Sequence, residues 1–166
     1  SNYELINEGF RGMGIKKDEL YYFSFSAANV KGISALRIEL FDNDRVIATS
    51  SVNLSKGGWK QYEVSFPAEF TSQKAKLRLK FVGSGSLDID MISLFPEDTW
   101  KKRKRGLRKD IVEYLEAMNP GFIRFPGGCI VEGRTLEQRY QWKKTVGPIA
   151  DRELLINNLI KVISLQ

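Results

Sequence analysis

The stretch LYYFSFSA, residues 20–27, places Tyr21, Phe23, Phe25 and Ala27 on one side of an extended chain. A leucine, a tyrosine and two serines fall on the other side. This alternation, with a period of two, is typical of a β-strand that covers a core with one face only. The stretch therefore predicts a strand and favours an all-β fold for the residues around it.

The same alternation recurs along the first 98 residues. We predict further strands near 3–6 and over 36–40, 45–51, 59–66, 74–81 and 87–94. The polar runs Asp42-Asn43-Asp44 and Gly83-Ser84-Gly85 predict turns between neighbouring strands. Short strands with one wet face per sheet are typical of a β-sandwich, so residues 1–98 are predicted to form an all-β, jelly-roll-like sandwich.

After residue 98 the pattern changes to a helix followed by a buried strand. One apolar stripe runs along 106–118 and ends at Asn119-Pro120, which predicts an amphipathic helix. The run FIRFPGGC, 122–129, predicts an apolar strand that contains Arg124 and stops in a tight turn. Helix, turn and strand form one unit of a parallel α/β layer. In such layers active-site residues lie at the carboxyl ends of the strands. A long surface loop over 134–149 and a helix over 154–165 are predicted to follow.

The charge distribution supports a domain boundary near residue 98. Residues 1–98 hold 12 Lys/Arg and 13 Asp/Glu, whereas residues 99–166 hold 14 and 7. Half of those 14 basic residues lie in KKRKRGLRK, 101–109. This run could contact phosphates, but no aromatic residue interleaves with it, so a solvated connector is the preferred interpretation. No nucleic-acid partner is expected.

Composition narrows the possible chemistry. The chain of 166 residues has no histidine and one cysteine, which removes Ser-His and Cys-His pairs, most zinc sites and a disulfide framework. Asp88 and Asp90 share a face, but two carboxylates supply few oxygens for calcium. No cofactor or metal is expected, and no apolar run approaches the ~18 residues that would suggest a membrane partner. The chain starts Ser-Asn rather than Met, which leaves a secretion signal, and hence a periplasmic, extracellular or cytoplasmic location, open.

Several stretches carry a resemblance to a known family. They are Asn7-Glu8-Gly9-Phe10, YFSF at 22–25, DMISLFP at 90–96, DTW at 98–100, GLRKD at 106–110, FIRFPGGCIVEG at 122–133 and RYQWKKT at 139–145. Together they resemble glycoside hydrolase family 51, the α-L-arabinofuranosidases, in the bacterial type that carries a carbohydrate-binding-like β-sandwich near the start of its (β/α)8 barrel. Residues 1–98 would be that sandwich, and residues 99–166 a partial barrel segment.

The resemblance also implies an activity. Family members hydrolyse terminal arabinofuranosyl links, as in hemicellulose or pectin side chains, with retention and by means of two glutamates. Both glutamates would lie beyond this chain, and residues 99–166 are far fewer than the ~250 of a complete barrel. No catalytic residue is therefore assigned, and the fragment is expected to be inactive by itself. Residues 158–166 depart from the family pattern and receive no role.

Four residues are substrate-binding candidates by the same resemblance. Gly128 and Cys129 match the position where the family binds the arabinose ring through backbone and side-chain hydrogen bonds. Arg124 matches a strand arginine near the nucleophile, where a guanidinium would keep a carboxylate ionised. Trp142 lies on the loop that supplies an aromatic wall beside the leaving sugar. The structural alternatives are a tight turn with a buried thiol at 126–129 and a structural salt bridge for Arg124.

Two functions of different class stay open. One is a portion of an arabinofuranosidase that acts on arabinose-containing polysaccharide or oligosaccharide, and the other is a stand-alone carbohydrate-binding sandwich. Trp59 and Tyr62 could form a sugar platform for the second, although their strand position favours core packing. An open barrel piece would leave a strand edge and an apolar helix stripe uncovered, so self-association is expected.

Overall fold

The structure is a computed structural model and describes residues 3–124, 127–128, 131–133 and 135–153. It divides into two units, with the boundary between Ala117 and Met118. The first unit holds the β-strands, a short 3-10 helix at Trp100–Lys102 and one α-helix, and the described residues of the second form three short 3-10 helices. The domain boundary that the sequence indicates near residue 98 stays a prediction. None of the described helices is long and apolar enough to cross a membrane.

Six antiparallel strands form the first unit. They are β1 (Glu4–Asn7), β2 (Met13–Ile15), β3 (Leu20–Asp42), β4 (Arg45–Asn53), β5 (Lys60–Pro67) and β6 (Ser72–Pro96). The long strands β3 and β6 pair with each other, β4 and β5 flank β3, and β1 and β2 flank β6. The all-β prediction for this part of the chain is confirmed, including the tight turn at Asn43-Asp44 between β3 and β4.

The two long strands each contribute to both layers of a sandwich. The first half of β3 pairs with β5 and the end of β6, and its second half pairs with β4 and the start of β6. Phe23 and Phe25 from the first half share one core with Leu36, Ile38 and Leu40 from the second, and all five are almost completely buried. The alternation in the sequence therefore identified the core faces correctly.

A predicted turn proves to be a bend inside a strand. Residues Gly83-Ser84-Gly85 do not separate two strands but continue β6, next to register shifts where it pairs with β3. Gly32 and Gly83 have φ values of +70° and +121°, and a Cβ on Gly32 would overlap the carbonyl oxygen of Ser84. Because only glycine allows this close approach, the two strands bend together and continue into the other layer.

The outer face of the sandwich holds one buried carboxylate. Glu39 points away from the core, as the alternation predicts, yet its side chain is only 2% exposed. Arg37, Arg78 and Lys80 approach its oxygens at 3.1, 2.7 and 3.1 Å. Burial by itself raises the pKa of Glu39, but hydrogen bonds from Arg78 and Lys80 more than offset it, so the pKa lies below its ordinary value.

The basic run forms a connector that packs on the sandwich. Arg105 donates to the buried Ser24 at 2.6 Å, and Lys104 lies 2.6 Å from Glu63. A bridge between Thr99 and Arg108 closes this segment just before the helix α1 (Lys109–Ala117). The helix predicted over 106–118 is therefore confirmed, with a shorter extent. The predicted stripe, Leu107, Ile111, Leu115 and Met118, is exposed.

The predicted strand at 122–125 is wrong for the residues that the structure describes. Residues 122–124 are not in a strand, and Phe122 and Ile123 are 85% and 83% exposed. An apolar run becomes a buried strand only when neighbouring strands pair with its backbone and other elements cover its faces, and the described part of 118–153 contains no strand. The surface loop predicted from residue 134 is confirmed over 135–149. The helix predicted at 154–165 lies outside the described residues.

Candidate functional site

Gly128 lies in a tight turn, as the sequence predicts. Its φ is +71°, a conformation that favours glycine, and its carbonyl oxygen accepts a hydrogen bond from the Val131 amide at 3.1 Å. Among the described residues, apart from its chain neighbours, nothing lies within 4 Å of the position that a Cβ on Gly128 would take. A ligand could therefore approach the backbone here closely. Cys129, the second candidate from this turn, lies outside the described residues.

Arg124 is exposed rather than buried in an apolar strand. Its Nε lies 4.0 Å from the position that a Cβ on Gly127 would take, so the guanidinium is beside the glycine turn. Among the described residues it makes no ion pair, and neither a structural salt bridge nor a carboxylate partner is seen there. The guanidinium is thus placed where it could pair with an anionic group brought from elsewhere.

Trp142 is exposed on a loop whose backbone is held in place. It begins a 3-10 helix, Trp142–Thr145, and its carbonyl oxygen accepts a hydrogen bond from the Thr145 hydroxyl at 2.7 Å. The Tyr140 hydroxyl lies 3.4 Å from the same Thr145 hydroxyl. The indole itself is 59% exposed. A fixed backbone with an open aromatic face suits stacking on the C–H face of a sugar.

Two residues that the sequence did not single out tie this loop to the glycine turn. The Tyr140 amide donates to the Val131 carbonyl at 3.0 Å, and Val131 is the residue bonded to Gly128. Gly133 lies so close to the backbone of Gln138 and Arg139 that a Cβ would overlap them. The signals available in the sequence were Gly133, directly before the predicted loop, and Tyr140, two residues before Trp142, but neither residue by itself identifies its distant partner.

The arrangement offers recognition groups rather than a catalytic pair. Arg124, the Gly128 turn and Trp142 supply a cation, open backbone and an aromatic face, all in the second unit. Of the carboxylates there, Glu153 is bound to Lys144 at 2.7 Å. In the described parts of the chain no three His, Cys, Asp or Glu side chains are grouped as a metal site would require. Substrate binding by these residues stays a prediction.

Comparison with known proteins shows which protein family this chain resembles. Residues 114–162, which include the glycine turn and the Trp142 loop, match the family described as "Alpha-L-arabinofuranosidase 1 domain". The chain is 37% identical over 160 residues to an extracellular exo-α-L-arabinofuranosidase of Streptomyces chartreusis, with 89% of this chain covered. The chain is a relative of the family 51 α-L-arabinofuranosidases. The resemblance drawn from the sequence motifs is therefore confirmed.

Two further comparisons agree on how much of its relatives' length the chain spans. α-L-Arabinofuranosidase 1 of Arabidopsis thaliana is 33% identical over 152 residues, covering 89% of this chain. A solved structure of an arabinose-bound GH51 α-L-arabinofuranosidase matches 98% of the chain with a TM-score of 0.81 at 30% identity. The chain spans about a fifth of the length of the curated relatives, 19% and 22%, and 28% of the solved structure.

Proposed function

We propose that this chain is a portion of a retaining α-L-arabinofuranosidase that removes terminal arabinofuranosyl residues from hemicellulose or pectin side chains. One observation carries the proposal: 98% of the chain matches a family 51 structure that is described as arabinose-bound, with a TM-score of 0.81. At 30% identity the likeness extends to sequence as well as to fold. The match therefore supports a shared activity and not only a shared sandwich.

In this proposal the second region of the chain contributes to the wall of the sugar site. Residues 99–166 would belong to a (β/α)8 barrel, in which the exposed α1 stripe and the apolar run from Phe122 would be covered by neighbouring strands and helices. Gly128 and Cys129 would then hydrogen bond the arabinose ring. The space at Gly128 supports this role, since no described residue beyond its chain neighbours lies within 4 Å of a Cβ placed there.

Arg124 and Trp142 have separate tasks in the proposed reaction. Retaining hydrolysis needs one carboxyl that protonates the leaving oxygen and a second, ~5 Å away, that attacks the anomeric carbon. Arg124 would keep the attacking carboxylate ionised and oriented through a charge-assisted hydrogen bond. Trp142 would hold the sugar on the leaving side by stacking. Neither residue transfers a proton, so no catalytic residue is assigned within this chain.

The test is hydrolysis of 4-nitrophenyl α-L-arabinofuranoside by the full-length enzyme that contains these residues. We expect release of 4-nitrophenol by that enzyme and none by residues 1–166 alone. Trp142→Ala should raise KM more than it lowers kcat, and Arg124→Met should lower kcat by roughly a hundredfold, the size expected when a transition-state electrostatic contact is lost. Trp59→Ala, on the sandwich, serves as the matched control because its indole is equally exposed. Failure of the full-length enzyme to cleave this substrate would contradict the proposal.

A further inference from the structure

The sandwich presents an exposed tryptophan that its own fold does not use. Trp59 ends the segment 54–59 between β4 and β5, and its indole is 60% exposed, so the expected core packing is wrong for this residue. Tyr62, in contrast, stacks on Phe25 with ring centroids 5.1 Å apart, and the core packing expected for it is confirmed. The two aromatic residues thus have different tasks.

The segment that carries Trp59 is held rigid. The Leu54 amide donates to the Ser34 carbonyl at 2.8 Å, and the Ser55 amide donates to the Tyr62 hydroxyl at 3.1 Å. Lys60 Nζ donates to the Ser55 hydroxyl at 2.9 Å, and the Asn29 amide donates to the Gly57 carbonyl at 3.1 Å. Hydrogen bonds at residues 54, 55 and 57 limit the backbone entropy that this segment would lose on binding a ligand, which favours its use as a binding platform.

A shallow groove lies beside this segment. It has a volume of about 440 Å³ and is lined by Asn29, Val30, Lys31, Gly32, Lys56 and Gly57. Asn29 is anchored through its side-chain amide, which donates to Asp88 at 2.6 Å. Lys31 and Lys56 are exposed, and among the described residues neither makes an ion pair. The groove therefore offers two ammonium groups that make no ion pair with the described residues, and it lies beside the segment that carries the exposed Trp59.

We propose that this groove and Trp59 bind a segment of acidic polysaccharide, one whose backbone contains uronic acid residues. The indole would cover the C–H face of a pyranose ring, and Lys31 and Lys56 would pair with uronate carboxylates. A neutral glycan would leave both ammonium groups unused. A nucleic acid would need several aromatic platforms among the cations, whereas Trp59 is the one exposed aromatic residue on the described segment 54–59 beside the groove. The sandwich would thus hold the enzyme on an acidic wall polymer, independently of the Gly128 turn and Trp142.

The test is calorimetric titration of the 166-residue chain with oligogalacturonates, alongside the same oligomers after full methyl esterification. We expect binding of the acidic oligomers that weakens as salt is added. Trp59→Ala should weaken it by roughly tenfold or more, the loss typical of an aromatic anchor. The double variant Lys31→Gln, Lys56→Gln should weaken it by a similar factor and abolish the preference for acidic over esterified oligomers. Phe10→Ala, which removes an exposed aromatic ring outside the groove, and Lys17→Gln are the matched controls and should bind as the parent does.

Several results would overturn the inference. Equal affinity for esterified and acidic oligomers would show that the two lysines do not pair with carboxylates. Unchanged binding by Trp59→Ala would show that the indole does not contact the ligand. Stronger binding of single-stranded DNA than of oligogalacturonate would identify a different ligand class. Loss of binding in Trp142→Ala would move the site to the second unit. Hydrolysis of the aryl arabinofuranoside does not depend on any of these outcomes, so failure here is distinguishable from failure of the proposed function.

Discussion

The sandwich and the second unit use apolar residues in opposite ways. In the sandwich, Phe23, Phe25 and Leu36 are buried at almost zero exposure between two antiparallel layers. In the second unit, Phe122 and Ile123 are more than four-fifths exposed. Both regions have sequences with the apolar content of a core, so the difference lies in the partners available to each. The sandwich contains its own partner strands, whereas the described part of 118–153 holds no strand at all.

The largest effect that tests this comparison comes from two phenylalanines. Phe23→Ala should lower the free energy of unfolding by about 4 kcal/mol, because it removes a fully buried ring and leaves a cavity. Phe122→Ala should change it by less than ~0.5 kcal/mol, since that ring is already in solvent. Urea titrations followed by circular dichroism measure both. A large loss in Phe122→Ala would show that residue 122 is covered after all.

A second prediction concerns the bend that lets two strands build both layers. Gly32→Ala should cost at least ~2 kcal/mol, because alanine is strained at a φ of +70° and its Cβ would overlap the Ser84 carbonyl. Gly58→Ala is the control, since nothing lies within 4 Å of a Cβ there, and it should be neutral or slightly stabilising. The same urea titrations apply. Equal stability of the two variants would mean that the strands do not need this close approach.

The same particulars explain what sequence reasoning could and could not predict. Alternation over 36–40 predicted a strand with buried Leu36, Ile38 and Leu40, because burial on one face follows directly from a period of two. Gly83-Ser84-Gly85 was expected to be a turn, since glycine and serine mark turns and bends alike and only the partner strand decides between them. Burial of Glu39 could not be predicted, because its cover comes from Arg78 and Lys80, residues distant in sequence.

For the candidate site, the sequence predicted local backbone features correctly but did not predict the burial of Arg124 correctly. The tight turn at Gly128 and the surface loop around Trp142 follow from local composition, and both are present. The expected burial of Arg124 depended on a strand with neighbours, and that condition is not met among the described residues. The exposure of Trp59 was also not predicted. The alternating run 59–66 does form a strand, but the strand begins at Lys60, so Trp59 lies outside it. Contacts with distant residues decide these cases.

The third prediction concerns the buried Glu39 carboxylate, whose removal should have a smaller effect on the free energy of unfolding. Glu39→Gln should lower the free energy of unfolding at pH 7 by about 2 kcal/mol, because three cations lose a buried partner but remain partly solvated. Glu8→Gln, which removes an exposed pair with Lys76, should cause no measurable change.

The pH dependence of Glu39 has a defined sign. The pKa of this carboxyl is lower in the folded than in the unfolded protein, so its contribution is fully present above the unfolded value of about 4.3 and is lost as the pH falls through the lower folded pKa. The difference between parent and Glu39→Gln, measured by urea titration, should therefore shrink in that acidic range. A difference that grew on acidification would contradict the charge-based account.

The last prediction concerns self-association through exposed apolar surface, and it involves the smallest expected change in folding stability. The exposed face of α1 carries Ile111, Tyr114 and Leu115, and Leu107 lies exposed two residues before the helix; an apolar stripe of this kind favours association between copies. We expect sedimentation velocity to show a concentration-dependent increase in mass for the parent chain, and Ile111→Glu to reduce it. Val82→Glu is the matched control, because Val82 lies on the sandwich and has the same 47% exposure as Ile111. If Val82→Glu dissociated the chain as well as Ile111→Glu does, the contact would lie on the sandwich, and the contrast between the two regions would have to be drawn at a different surface.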